Sequence, residues 1–247
     1  MNDLPMSAVL ALWFSAWAAG ASSLDAARDA VVGDDTAHDV VGVPGAEEPL
    51  PLILALGRLR AAGAGHAGLA LPVAGDPLGL AGPADFNADA LEAGEAVLLE
   101  GAALGLVPYR AGAGVVWRCH RVAARRQVPD PQEAHSALRH AVLEAADSLA
   151  ALDVARWRPE VADALMALRR PSEVQVPDGM RHGAITLASL ATRCRAIVDL
   201  ALVDDGGAVS ASESERRRAA LLPLDHAARR GLVAACSLPW GDSLPPR

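Results

Sequence analysis

Gly63, Ala64, Gly65, His66, Ala67 and Gly68 spell GxGxxG, the spacing with which a glycine turn between a strand and a helix presents backbone amides to a pyrophosphate. The context is inverted here. The run Pro49 to Ala62 before the glycines reads as a helix, and Gly68 to Val73 after them reads as a buried strand. No helix N-terminus then meets a phosphate, and in a chain with 22 glycines the match is what chance produces.

All 22 basic residues are arginine, because the sequence contains no lysine. A Walker A lysine, a Schiff-base lysine and an SxxK nucleophile activator are therefore excluded. GxSxG and the kinase motif set are also absent. His135 and His140 are five apart, which on a helix points them to different faces, and no HExxH occurs. Asp199, Asp204 and Asp205 with Gly206 and Gly207 supply too few ligands for a cation loop and read as a helix end. The sequence thus predicts no metal and no cofactor.

One constellation remains. Alternation along a strand Val115 to Val122 sets Val115, Trp117, Cys119 and Arg121 on one face and Val116, Arg118, His120 and Val122 on the other. A hairpin loop Ala111 to Gly114 that pairs Arg110 with Val115 puts Leu106 against Cys119 and Pro108 against Trp117. The same register gathers Tyr109, Arg118 and His120, a phenol, a permanent cation and an imidazole, within cross-strand reach. Such a trio suits a small anionic ligand; the plainer expectation is the solvated face of an antiparallel sheet. Arg118, Arg121, Arg125 and Arg126, with Arg216, Arg217 and Arg218, are the densest basic stretches. A net charge of -8, one tyrosine and two phenylalanines argue against a nucleic-acid surface.

These side chains depend on elements that the hydrophobic period outlines. A helix over Pro5 to Ala19 carries Leu10, Trp13, Phe14 and Trp17 in one stripe and is apolar nearly all round, so it is core or, through Trp13 and Trp17, a contact face. Ser23 caps a helix Leu24 to Val32 that Gly33 stops. A strand near His38 to Val43, a short helix capped by Asn87, and strands Ala96 to Glu100, Ala103 to Arg110 and Val115 to Val122 complete a mixed front part with an antiparallel β-meander.

Pro129 and Pro131 mark a boundary, after which the period is helical. Leu138, Ala141, Val142, Ala145, Leu149 and Leu152 stripe one helix, and Pro159 starts another with Val161, Leu165 and Leu168. Leu187, Leu190, Cys194, Ile197 and Ala201 suggest a heptad seam. Ser212 and Glu215 read as a capping box, and Pro223 predicts a kink or a break. The expected fold is α+β: residues 1–127 mixed helix and strand, residues 128–247 antiparallel helices, with their packing as one domain left open.

At 52% hydrophobic the 247 residues suffice for a full core. Met6 to Ala21 is apolar, but Asp3 and no Lys or Arg precede it, and it falls short of the roughly 20 residues of a span. Cys119, Cys194 and Cys236 are odd in number with no CxxC pair, which suits a reducing cytoplasm. The stretches LALWFSAWAAG, SLDAARDAVVGDD and ALDVARWRPE resemble an uncharacterised family of hypothetical proteins from high-G+C actinobacteria. That resemblance implies no activity, cofactor or catalytic residue. The reading that follows is a non-enzymatic cytoplasmic protein acting through protein contacts or self-association, with no membrane role.

Overall fold

The computed structural model describes residues 4–80, 82–123, 127–151, 174–203 and 211–240. After Pro5 the apolar run forms α1 (Met6–Ala18), buried from Ala8 through Leu12 and again at Phe14 and Ala16. Its first turn has no side-chain cap of its own. Instead the Glu95 carboxylate accepts the Ser7 amide at 2.6 Å, setting a negative charge on the positive end of the helix dipole. α2 (Leu24–Val32) opens on Ser23, whose hydroxyl accepts the Ala26 amide, and closes at Gly33.

Then follow β1 (His38–Val41), β2 (Leu50–Pro51), α3 (Leu52–Ala61), β3 (His66–Ala70), α4 (Ala84–Ala93), β4 (Ala96–Glu100), β5 (Leu104–Ala111) and β6 (Gly114–Arg121). The strands form one sheet in the order β2-β1-β6-β5-β4-β3. β4 through β6 are the expected antiparallel meander, β3 extends it by pairing antiparallel with β4, and β1 adds to β6 in parallel, which makes the sheet mixed and the fold α+β.

Three element boundaries depart from expectation. Leu50 and Pro51 pair with β1 as an edge strand, so the helix starts at Leu52 rather than Pro49. His66 and Ala67 pair with Glu100 and Leu99, so the strand begins before Gly68 and ends at Ala70. Asn87 is not a cap but lies inside α4, where its Oδ1 accepts the Gly82 amide at 3.0 Å.

Alternation divides the core between the sheet's faces. Ala96, Leu98 and Val107 pack with Phe86 and Ala90 of α4. Their neighbours Val97, Leu99, Leu106 and Trp117 are buried on the other face, against which α1 and α3 lie. β3 is an edge strand whose outer backbone groups are not left open. The Ser15 hydroxyl of α1 accepts the Ala67 amide at 3.0 Å and donates to its carbonyl at 3.1 Å, and Ser237 Oγ accepts the Leu69 amide at 3.0 Å. Two hydroxyls thus do what a further strand would do. Gly63, the first glycine of the GxGxxG match, serves a close approach of two turns: a Cβ on it would stand 3.3 Å from the Gly101 carbonyl oxygen, and one on Gly101, which has φ +92°, would stand 2.2 Å from the Gly63 carbonyl oxygen.

The chain divides into two compact units, one of Leu4–Val128 with Gln175–His182 and the residues from Cys236, the other of Pro129–Val174 with Gly183–Ala235. The second contains α5 (Pro131–Ala151), α6 (His182–Val203) and α7 (Ala211–Ala235). Asp130 caps α5 by accepting the Gln132 and Glu133 amides at 2.8 and 3.0 Å, with Pro131 in the first turn, where its missing N–H costs nothing.

The seam on α6 is a heptad, but shifted: Leu187, Ala191, Cys194, Val198 and Ala201 are buried, whereas Leu190 and Ile197 are half-buried. Alanine at these positions lets helices approach closely. Where they meet, Leu187, Ala191 and Leu138 surround Gly231 of α7, so that an added Cβ would lie 3.2, 3.3 and 3.5 Å from their side chains. α7 runs through Pro223 without splitting, and this proline is on the exposed side, where solvent can take the hydrogen bond it cannot make. The expected helix with Val161, Leu165 and Leu168 lies outside the described residues, as do the side chain of Ser212 and residues 204–210.

Candidate functional site

The β5–β6 register sets Leu106 opposite Cys119, Pro108 opposite Trp117 and Arg110 opposite Val115. Tyr109, Arg118 and His120 therefore share a face, as alternation requires. That face is not simply solvated, because α4 packs against β5 there. Gly105, opposite His120, makes the approach feasible: a Cβ on it would be 2.6 Å from the Phe86 ring. The Phe86 and His120 rings lie 5.6 Å apart.

One helical turn beyond Phe86, Asp89 reaches the trio. Its Oδ2 accepts from Arg118 Nη1 at 2.7 Å, and His120 Nε2 lies 3.0 Å from the same oxygen. The His120 approach is an ion-pair distance without hydrogen-bond alignment, so Nε2 has no aligned hydrogen-bond partner, and the Tyr109 hydroxyl is buried beside Asp89. The Arg118 guanidinium stacks 4.7 Å from the Tyr109 ring centre. The Arg118 hydrogen bond holds the Asp89 carboxyl below its usual range. Burial, with the Asp89 charge second, pushes the Tyr109 phenol up, and the Asp89 hydrogen bond pushes Arg118 up. The cluster is charge-compensated from within, so an incoming anion must compete with Asp89 for the guanidinium.

A second cluster escaped the sequence reading. His38 at the start of β1 is buried, with Nε2 2.9 Å from Asp35 Oδ2 and Nδ1 3.3 Å from the Trp117 indole nitrogen. An indole N–H can only donate, so Nδ1 accepts and the neutral ring carries its proton on Nε2, facing Asp35. Arg110 bonds the other oxygen of Asp35. The His38 hydrogen bond, then Arg110, draw the Asp35 carboxyl down. This resembles an Asp–His dyad in connectivity, yet the nitrogen a general base would use is taken by Trp117. The signal was Asp35 and His38 three apart ahead of a strand; the parallel β1–β6 pairing that sets Val40 beside Trp117 was not visible in the sequence.

Trp17 packs edge-on to Phe14 at 5.5 Å and carries the Arg60 guanidinium 4.7 Å from its ring centre, while Trp13 is half-buried with its indole N–H unpaired. Arg121 is exposed; Arg125 and Arg126 lie outside the described residues. Burial pushes the thiols of Cys119 and Cys194 up to about 11 and that of Cys236 up to about 12, and none is bridged. Among the described residues no group of His, Cys, Asp and Glu is placed to hold a metal, and no helix is long and apolar enough to cross a membrane. A groove of about 350 Å³ lies in the helical unit, lined by Ala141, Glu144, Ala145, Ala219, Ala220 and Pro223 among others.

Residues 7–135 match the N-terminal domain of the Rv1486c-like proteins, and residues 132–233 match the C-terminal domain. Among curated proteins the chain is 29% identical over 281 aligned positions to "Uncharacterized protein Rv1486c" of Mycobacterium tuberculosis strain H37Rv, covering 93% of this chain and 95% of the relative. "Uncharacterized protein MT1533" of the CDC 1551 strain matches with the same identity and coverage. No solved structure matches.

Proposed function

We propose, for a chain that belongs to the Rv1486c-like protein family, that it works in the cytoplasm by self-association rather than by catalysis. The observation that carries this reading is where the reactive groups stand. Asp89 engages Arg118 and faces His120, Asp35 engages His38 and Arg110, and the thiols, buried at Cys194 and Cys236 and half-buried at Cys119, have raised pKa values. What the surface offers instead is apolar, with Leu143 and Leu222 of the helical unit 66% and 54% exposed. Three unbridged thiols favour a reducing compartment. Light scattering coupled to size exclusion on the full chain tests the reading: a dimer or larger species is expected, and a monomer at every concentration sinks it.

A second reading keeps Tyr109, Arg118 and His120 as a small-ligand site. It is favoured by His120 Nε2, which is buried without an aligned hydrogen-bond partner beside Tyr109 and Arg118. Calorimetry with phosphates and carboxylates should then give heat that Arg118→Ala abolishes, and a silent parent protein ends the idea. For nucleic acid through Arg118, Arg121, Arg125 and Arg126, the Asp89 pairing counts against Arg118. Salt-sensitive retention on heparin is the result that would argue for it.

A further inference from the structure

We infer that Asp89 is a built-in occupant of a carboxylate site made by Tyr109, Arg118 and His120, which opens to a small monocarboxylate when the Asp89 side chain swings away. This rests on the small-ligand reading of that face and adds to it the ligand class and a control. The contacts Asp89 makes are those a bound carboxylate would make. Its Oδ2 accepts from Arg118 Nη1 at 2.7 Å and lies 3.0 Å from His120 Nε2, so one oxygen is shared by a guanidinium and an imidazole. The Tyr109 hydroxyl is buried beside the same carboxylate.

The groups around Asp89 are not positioned by it alone. The Arg118 guanidinium also stacks 4.7 Å from the Tyr109 ring centre. The His120 side chain, 10% exposed, has its ring 5.6 Å from that of the buried Phe86. Both groups therefore keep their places when Asp89 leaves. His120 Nε2 has no aligned hydrogen-bond partner even with Asp89 present. A ligand free of the α4 backbone can align with that nitrogen where a tethered side chain does not, and so satisfies a buried polar atom that Asp89 leaves short. Arg118 is 51% exposed, which gives the exchange a way in from solvent. Charge selects the ligand. Glu92, one turn further along α4, adds a negative charge felt at both Tyr109 and Arg118. A phosphate dianion meets that charge with twice the repulsion, which favours a monocarboxylate.

A tethered occupant lowers the apparent affinity for a free ligand by the fraction of molecules in which the site is open. With the site closed in about nine molecules of ten, removing the occupant tightens binding about tenfold. The test titrates sodium acetate into the full chain, followed by the histidine ring signals in NMR, against sodium chloride at equal ionic strength. The parent should bind acetate weakly, and Asp89→Ala at least about tenfold more tightly. Asp89→Ala combined with Arg118→Ala should lose the response. Asp85→Ala removes the same charge from the exposed first turn of α4 and should bind as the parent does. Thermal unfolding of Asp89→Ala reads the same event if its fold is weakened: acetate should raise the midpoint more than chloride does. Equal effects of the two salts on Asp89→Ala, or acetate binding no tighter there than in a parent that binds it, overturn Asp89 as the occupant; in the second case the small-ligand site still stands. Silence in the parent and in Asp89→Ala alike removes that site as well.

Discussion

Asp89 is where sequence and structure part most clearly at the level of single residues. Alternation along β5 and β6 was enough to place Tyr109, Arg118 and His120 together, because the pleat has a period of two and the hairpin loop sets the register. Nothing local tells which acid of α4 will lie over them; that follows from the tertiary approach Gly105 allows. Asp89→Asn should cost about 1 kcal/mol at neutral pH, since Arg118 is half exposed and solvent weakens its pairing with the carboxylate. The sign with pH is fixed. A carboxyl held below its unfolded value of about 3.9 stabilises the fold above that value, and the contribution is lost as pH falls through the lower, folded value. Urea titrations at pH 7 and below pH 4 should therefore show the gap between parent and variant closing in acid; an unchanged gap would exclude the ion pair as its cause. His38→Leu removes an acceptor from the Trp117 indole and a donor from Asp35, and about 2–3 kcal/mol of stability should go with it. In a double-mutant cycle with Trp117→Phe the two losses should be less than additive, and full additivity would show the indole bond to be worthless.

Among the elements, legibility followed the source of the signal. The meander strands and α2 were readable because period, caps and turns are local. The parallel addition of β1 to β6 was not, since it joins segments far apart in sequence and leaves no turn between them. The shifted α6 seam has a similar cause: leucine and isoleucine outrank alanine on any hydrophobicity count, yet close helix packing selects the small side chains Ala191 and Ala201. The β3 edge depends on Ser15 in the same long-range way. Ser15→Ala deprives both the amide and the carbonyl of Ala67 of their partner in a buried place, and should cost about 1–3 kcal/mol. Ser237→Ala frees one amide at Leu69 and should cost less. Thermal melts of the two variants rank them, and equal losses would mean that water replaces the Ser15 bonds.

At the scale of the whole chain, two compact units with separate cores make mutational damage a local matter. The sheet unit is centred on Trp117, Leu99 and Leu106 on one face and Phe86 on the other, while the helical unit is centred on Leu138, Leu187 and Leu232. Gly231 is a tightly packed point of the latter, since three side chains from α5 and α6 would stand 3.2 to 3.5 Å from an added Cβ and must yield by a few tenths of an ångström to admit it. A branched side chain there must push the helices apart. Gly231→Val should destabilise the helical unit by about 1–3 kcal/mol through overpacking, part of which the better helix propensity of valine offsets. Hydrogen exchange resolved by peptide locates the effect: amides of α5, α6 and α7 should exchange faster, while those of β3 to β6 keep their parental protection. If the strands lose protection in step with the helices, the two units unfold as one cooperative body, and the division into 1–127 and 128–247 has no thermodynamic meaning.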